Sequence, residues 1–358
     1  MNTIIVKLDT DDYRPEQLDQ AAQLLREGKL VAFPTETVYG LGGNALDSEA
    51  ARKIYEAKGR PSDNPLIVHI ANISDLEELA EDIPDKAYRL AEVFWPGPLT
   101  MILKRKKCIP YSTTGGLETV GIRLPANKIA RDLIVRSGVF IAAPSANLSG
   151  KPSPTLAEHV INDLNGKVDM ILDGGKATFG LESTIVDLTG DIPMILRPGF
   201  ITIEMLRRVI GEVQYDPVVL ADKPDFNLKP KAPGMKYRHY APEGSLTIYE
   251  GRAGAVVREI NKIAKEKLKS GNSVGIIATE ETSSLYPYGT VKTIGSRKDE
   301  ASIAAGLYAL LREFDELHTE YIFTESFADS GLGQAIMNRL LKAAGYQLIR
   351  VTDEMGEG

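Results

Sequence analysis

Five prolines lie between Asp216 and Gly244, at positions 217, 224, 230, 233 and 242, and no helix interior or central strand can run through them. They divide the chain into two lengths, and each must bury a core of its own. At 358 residues the chain is long for one hydrophobic core and suits two domains. The expected organisation is a first domain over 1–216, a linker or lid over 217–244 and a second domain over 245–358. The break is more than a spacer, because Gly234-Met235-Lys236-Tyr237-Arg238-His239-Tyr240-Ala241-Pro242 is both aromatic and basic.

Before the break, short apolar runs alternate with helical spacing, the mark of a mixed α/β layer structure. Strands are predicted at 30–33, 67–70, 99–103, 120–124, 139–143 and 170–173, and helices over 16–27, 48–57, 73–79, 86–94 and 128–136. Positions 35–42 are predicted as a loop. After the break the alternation is cleaner, with strands at 246–249, 274–278, 291–294 and 321–324 and helices over 256–268, 303–314 and 335–344. Such βαβ order predicts a small, largely parallel, Rossmann-like sheet covered on both faces. Gly331-Leu332-Gly333-Gln334 opens the last helix and would suit a phosphate, although the glycine fingerprint of a dinucleotide site is incomplete.

Composition removes several function classes. A net charge of −7 argues against a surface devoted to wrapping nucleic acid. No apolar run is long enough for a membrane helix, and the first residues lack the features of a secretory signal, so a cytoplasmic location is expected. The single cysteine, Cys108, excludes an intramolecular disulfide and a thiolate metal cluster, and it has no evident base beside it. His69, His159, His239 and His318 are scattered without metal-ligand spacing.

Two polar runs are too rich in turn formers to be core elements. Lys58-Gly59-Arg60-Pro61 follows a helix; Gly59 permits a left-handed backbone, and the flanking cations either cap the helix dipole or meet a phosphorylated ligand. Ser145, Asn147, Ser149 and Ser153 follow a strand ending at Ala143-Pro144, where they either hold a ligand or stabilise their own turn. Arg123 lies inside an apolar strand and must reach the surface or find an anion. His69 closes another strand, and Thr35 and Thr37 flank Glu36 before the Gly40-Leu41-Gly42-Gly43 turn. Glu182-Ser183-Thr184 and Arg197-Pro198-Gly199 repeat the pattern of a polar loop beside a strand.

In order and spacing, these runs closely resemble the YrdC/YwlC family. The match includes Pro34-Thr35-Glu36-Thr37-Val38-Tyr39-Gly40, Pro65-Leu66-Ile67-Val68-His69, Trp95-Pro96-Gly97-Pro98-Leu99-Thr100 and Ser145-Ala146-Asn147-Leu148-Ser149-Gly150. With the linker motif and the second α/β region, the chain resembles the family's long form, the L-threonylcarbamoyladenylate synthases. The resemblance implies a YrdC-like twisted mixed sheet and a reaction of L-threonine, bicarbonate and ATP, with Mg2+ accompanying the nucleotide. Its product would supply the threonylcarbamoyl group of a modified adenosine in tRNAs reading codons that start with A, through a downstream transferase.

By the same resemblance Arg60, Asn64, Thr119, Ser145, Ser153 and Arg197 would contact ATP, and Tyr237 would fold over it. Lys58 and Asn147 would complete the reactive cluster with Arg60 and Ser145. Thr37, His69, Arg123 and Ser183 would hold L-threonine, with Ala143 contributing through its backbone. Two other readings attach to the fold: a non-catalytic binder of double-stranded RNA, and carbamoyl transfer of the hydrogenase-maturation kind. The acidity weighs against the first, and the lone cysteine excludes the zinc-finger-like parts of the second.

Overall fold

The computed structural model describes residues 2–10, 12–220, 230–233 and 239–352. By internal contacts the chain forms two units, Met1–Ser149 with Ser153–Tyr237, and Gly150–Pro152 with Arg238–Gly358. The division falls inside the proline-rich segment.

The first unit is built on a twisted mixed sheet. Its strands are β1 (Ile4–Lys7), β2 (Val31–Phe33), β3 (Gly40–Asn44), β4 (Ile67–His69), β5 (Ala80–Glu81), β6 (Leu99–Arg105), β7 (Thr119–Arg123), β8 (Ile141–Ala143), β9 (Met170–Asp173), β10 (Thr184–Asp187), β11 (Met194–Arg197) and β12 (Gln214–Tyr215). They run in the order β1-β9-β2-β3-β8-β4-β7-β6-β10-β11-β12, with β5 on β6. Both faces are covered, and the side-chain alternation shows it. Ala32, Ala142 and Ile171 enter one core with Ile54 and Leu90, while Phe33, Ile141 and Leu172 enter another with Leu25 and Leu133. This is why these strands read as unbroken apolar runs rather than alternating ones.

The glycine run 40–43 is strand, not loop. A Cβ on Gly42 would come within 2.6 Å of Ile141 Cγ2 and 2.8 Å of the Phe33 ring, so the glycines let β3 lie beneath those side chains. The helix Ser48–Lys58 begins on Asp47, whose carboxylate accepts from the Glu49 amide at 2.9 Å. It ends at Gly59 with φ of 61°, and nothing crowds a Cβ there; the left-handed backbone alone calls for glycine. That cap carries Lys58 and Arg60 out of the helix in different directions.

The second unit is a parallel sheet of β13 (Ser245–Glu250), β14 (Val274–Ala278), β15 (Thr290–Thr293), β16 (Tyr321–Glu325) and β17 (Leu348–Arg350), ordered β15-β14-β16-β13-β17. Helices Ala253–Lys269, Glu300–Glu316 and Gly331–Ala343 make the crossovers. The amide of Gly333 in the last helix donates to Glu300 Oε2 at 3.0 Å, so an internal carboxylate stands where the sequence offered a phosphate seat. Gly333 itself is a packing requirement, since a Cβ would meet Ala328 O at 2.5 Å.

Candidate active site

The backbone first joins segment 35–41 to the serine and asparagine loop. Gly40 bridges Ser145, the amide of Ala146 donates to Tyr39 O at 2.8 Å, and the amide of Tyr39 donates to Pro154 O at 2.9 Å. Segment 35–41 is thereby sewn to 144–149 and to 153–154.

Lys58 is 2% exposed. Its ammonium donates to Ser145 O at 2.6 Å and to Asn147 O, with Asn147 Oδ1 at 3.5 Å. Ser145 Oγ donates to Asn147 Oδ1 at 2.5 Å, and the amide of Ser149 donates to Lys58 O at 2.9 Å. An ammonium carries three donors, and here the carbonyl oxygens of the loop accept from it. The resemblance places Lys58 in the reactive cluster; within the fold its ammonium rests on the carbonyls of the serine and asparagine loop, which it clamps.

Arg60 takes the other direction. It is partly exposed, and its Nη2 donates to Asn64 O at 3.4 Å and Pro65 O at 3.2 Å. Asn64 is 1% exposed, and its Oδ1 is buried with no hydrogen-bond partner. Thr119 starts β7, partly exposed; β4 and β7 run parallel with Ile67 beside Gly121, which brings Thr119 level with the Asn64-Pro65 entry to β4. The expected nucleotide group of Arg60, Asn64 and Thr119 is therefore gathered at one end of these two strands.

Most of the expected threonine group is gathered at the other end; Ala143 instead pairs with Ile67 at the near end of β4. His69 pairs with Arg123 in the β4/β7 register, four residues and roughly 13 Å along β7 from Thr119. Arg123 is 4% exposed and finds the anion that its burial demands in Glu36, with Nη2 to Oε1 at 2.7 Å. Its Nη1 donates to Thr37 Oγ1 at 2.9 Å, and its Nε to Gly97 O at 3.4 Å. Burial pushes the Glu36 carboxyl up, but the Arg123 charge and hydrogen bonds outweigh this and hold it below the ordinary range. His69 Nδ1 lies 3.1 Å from Ile67 O and 3.3 Å from Ile141 O, so two carbonyls make it the protonated nitrogen. Burial, then the Arg123 charge, pushes its pKa down to about 3 and keeps the ring neutral.

Ser183 and Arg197 meet, although the resemblance divides them between two substrates. Arg197 donates from Nε to Ser183 O at 3.0 Å and from Nη2 to Ser183 Oγ at 3.1 Å. Ser183 Oγ also lies 2.8 Å from Thr100 Oγ1, and Thr100 sits on β6, whose next residue faces Ile122 beside Arg123. Ser153 is fully buried with its hydroxyl donated to Glu182 Oε1 at 2.5 Å. Ala143 is 2% exposed inside the sheet, beside Ile67 of β4. Tyr237 lies outside the described residues. Glu36 is the group that sequence reasoning passed over. It stood between Thr35 and Thr37 in the motif, but its partner is 87 positions away, and nothing local marks a carboxylate as buried.

Comparison with known proteins follows this geometry. A family model described as "Telomere recombination" matches residues 23–199, and one described as "Threonylcarbamoyl-AMP synthase, C-terminal domain" matches 201–345. A Bacillus subtilis protein named threonylcarbamoyl-AMP synthase is 52% identical over 345 residues, covering 96% of each chain. A Pyrococcus abyssi protein of the same name is 49% identical over 92% of this chain and 95% of its own. A crystal structure of P. abyssi Sua5 complexed with L-threonine superposes with a TM-score of 0.91 at 46% identity, covering 98% of this chain and all of that one. Through both of its domains, and over nearly its whole length, the chain belongs to the threonylcarbamoyl-AMP synthase family.

Proposed function

We propose that the protein condenses L-threonine, bicarbonate and ATP into threonylcarbamoyl-AMP and pyrophosphate. The observation that carries this reading is the buried Arg123 guanidinium, ringed by Thr37 and Glu36 beside a neutral His69. A buried fork of donors orients a carboxylate as well as balancing its charge. The superposable P. abyssi protein, crystallised with L-threonine, supports the same assignment.

The chemistry asks for placement rather than for a protein nucleophile. The threonine amine, as the free base, adds to bicarbonate to give a carbamate and water, or to carbon dioxide to give a carbamate and a proton. A carbamate oxygen then attacks the α-phosphorus, and the bond to the bridging oxygen breaks as pyrophosphate leaves. Three reactants, all carrying negative charge, must be held in one place, and charge must be dispersed as the phosphoryl group transfers. Arg60 and Arg197 are the cations for that task, while Lys58 holds the Ser145-Asn147 loop from behind. Tyr237 is proposed as a lid over the nucleotide.

Mg2+ would arrive with ATP. The described residues include no group of three or more His, Cys, Asp or Glu side chains able to cage a metal. The ion would therefore rest on phosphates and water, and no step is assigned to protein ligands. Among the described residues no helix is long and apolar enough to cross a membrane. We place the protein in the cytoplasm, where its product passes to a transferase acting on tRNA; direct tRNA contact is part of the same proposal. The test is pyrophosphate release from ATP and bicarbonate with and without L-threonine. Release that is indifferent to L-threonine would overturn the reading.

A further inference from the structure

One buried hydroxyl takes no part in the function proposed above, yet it stands between two of its cations. Thr100 lies on β6, the strand between β7, which ends at Arg123, and β10, which neighbours β11 and its Arg197. In the antiparallel β6/β7 register it stands one step beyond the Met101–Ile122 pair, level with Arg123, and residues at one level of such a pair project from the same face. On its other side it pairs with Ile185, two positions after Ser183. The stretch from Trp95 to Thr100 serves both neighbours. Gly97 O accepts from Arg123 Nε at 3.4 Å, and Pro98 O accepts from the Thr184 amide at 3.0 Å.

Thr100 is wholly buried, and among the described residues its hydroxyl has one hydrogen-bond partner, Ser183 Oγ at 2.8 Å. Ser183 in turn holds Arg197 twice, through its carbonyl to Nε at 3.0 Å and through its hydroxyl to Nη2 at 3.1 Å. The two contacts differ in kind. The carbonyl is set by the backbone, because the amide that follows it is bound to Pro98 O. The hydroxyl is a rotor, and a second partner fixes its direction. Thr100 is that partner. A guanidinium is planar, so holding Nε and Nη2 together sets the plane of the fork as well as its place.

We propose that Thr100 is a positioning residue: through Ser183 it sets the plane of the Arg197 guanidinium relative to Arg123 on the same sheet. This rests on the functional reading above, in which Arg123 takes the amino-acid carboxylate and Arg197 disperses charge on the transferring phosphoryl group. The two contacts from Ser183 decide where a loss would fall. Without the Thr100 hydroxyl, Arg197 stays anchored at Ser183 O, so its charge still draws the nucleotide into place. Its terminal nitrogen loses direction, and that weakens the transition state, in which alignment matters most.

Steady-state pyrophosphate release by the full-length protein tests this with Thr100→Val, which keeps the branched shape and strand preference but removes the hydroxyl. The kcat should fall at least about tenfold, with the KM values for ATP and L-threonine within about threefold of wild type. Thr100→Ser, which restores the hydroxyl, should bring kcat back to within about threefold of wild type. An unchanged kcat in Thr100→Val overturns the proposal. So does a Thr100→Ser as slow as Thr100→Val, which assigns the effect to packing of the methyl group, or a rise in either KM that accounts for the whole loss. Should Thr100→Val fail to fold, Ser183→Ala removes the same link from its other end, and an unchanged kcat there refutes the role of Thr100. Pyrophosphate release by wild type that does not depend on L-threonine would instead refute the functional reading.

Discussion

Two buried carboxylates, one in each unit, show how differently the two halves of this protein treat charge. Glu325 ends β16 and is 3% exposed. One of its oxygens accepts from Thr282 Oγ1 and from the Tyr286 hydroxyl at 2.8 Å, and the other from Arg297 Nη2 at 2.5 Å. Glu36, 6% exposed, is answered by Arg123 Nη2 at 2.7 Å, with backbone hydrogen bonds beside it. The first carboxylate closes a network that ties the ends of β14 and β16 to the loops beside them. The second holds an arginine that also donates to Thr37 and Gly97, inside the cluster proposed to take L-threonine. The contrast separates a carboxylate that ties down the fold from one that sets the direction of a binding cation.

Lys58 tests the comparison most severely, because it lies in the same unit as the Arg123 cluster but clamps a different loop. Lys58→Met should lower pyrophosphate release by about 1,000-fold, since the loop carbonyls lose their cation and Ser145 and Asn147 lose their placement. L-threonine binding, measured by calorimetry, should stay within about twofold, because the Arg123 cluster is held separately. A matching collapse of L-threonine affinity would mean the two clusters are one.

Arg123→Lys attacks the arginine held by Glu36 directly. It keeps the charge and loses the fork, and kcat/KM for L-threonine should fall by about 100-fold. An unchanged kcat/KM would remove Arg123 from substrate recognition. Glu325→Gln is the counterpart in the closed network. It should lower the unfolding free energy by about 2 kcal/mol in denaturant titrations and leave the KM for L-threonine within about twofold. A selective rise in that KM would show that the second network is not merely structural.

The last effect is on acid stability. His69 is held neutral in the folded protein, with its pKa lowered from 6.5 to about 3. Between those values the unfolded chain binds a proton that the folded site refuses, so stability is full above about pH 6.5 and falls as the pH drops. The slope from one such group is at most about 1.4 kcal/mol per pH unit. The lowered Glu36 carboxyl acts in the same sense, but below its unfolded value of 4.5. Thermal unfolding between pH 5 and 6.5 should therefore be flatter in His69→Gln than in wild type. Equal slopes would mean His69 titrates freely.

Much of this was legible in the sequence because it is local. The Gly59 cap, the strand carrying His69 and the strand carrying Arg123 follow from glycine conformation and apolar spacing over a few residues. The demand that Arg123 find an anion was legible too, since burial of a guanidinium requires one. The identity of that anion was not. Glu36 meets Arg123 across β2, β3, β8 and β4, and no short-range pattern records such a meeting. The strand character of Gly40 to Asn44 was hidden for a related reason. A run that reads as a turn becomes a strand because Phe33 and Ile141 fill the space that the missing side chains of Gly40 and Gly42 leave.

The sequence by itself determined most of the helices and strands and the family to which its motifs belong. Tertiary structure decided how each polar group is used: Lys58 inward on loop carbonyls, Ser153 on Glu182, Arg123 against Glu36. The physical reason is range. Backbone conformation and apolar periodicity act over a few residues, whereas a buried charge takes whichever partner the fold brings within hydrogen-bonding distance, and folding alone sets that distance.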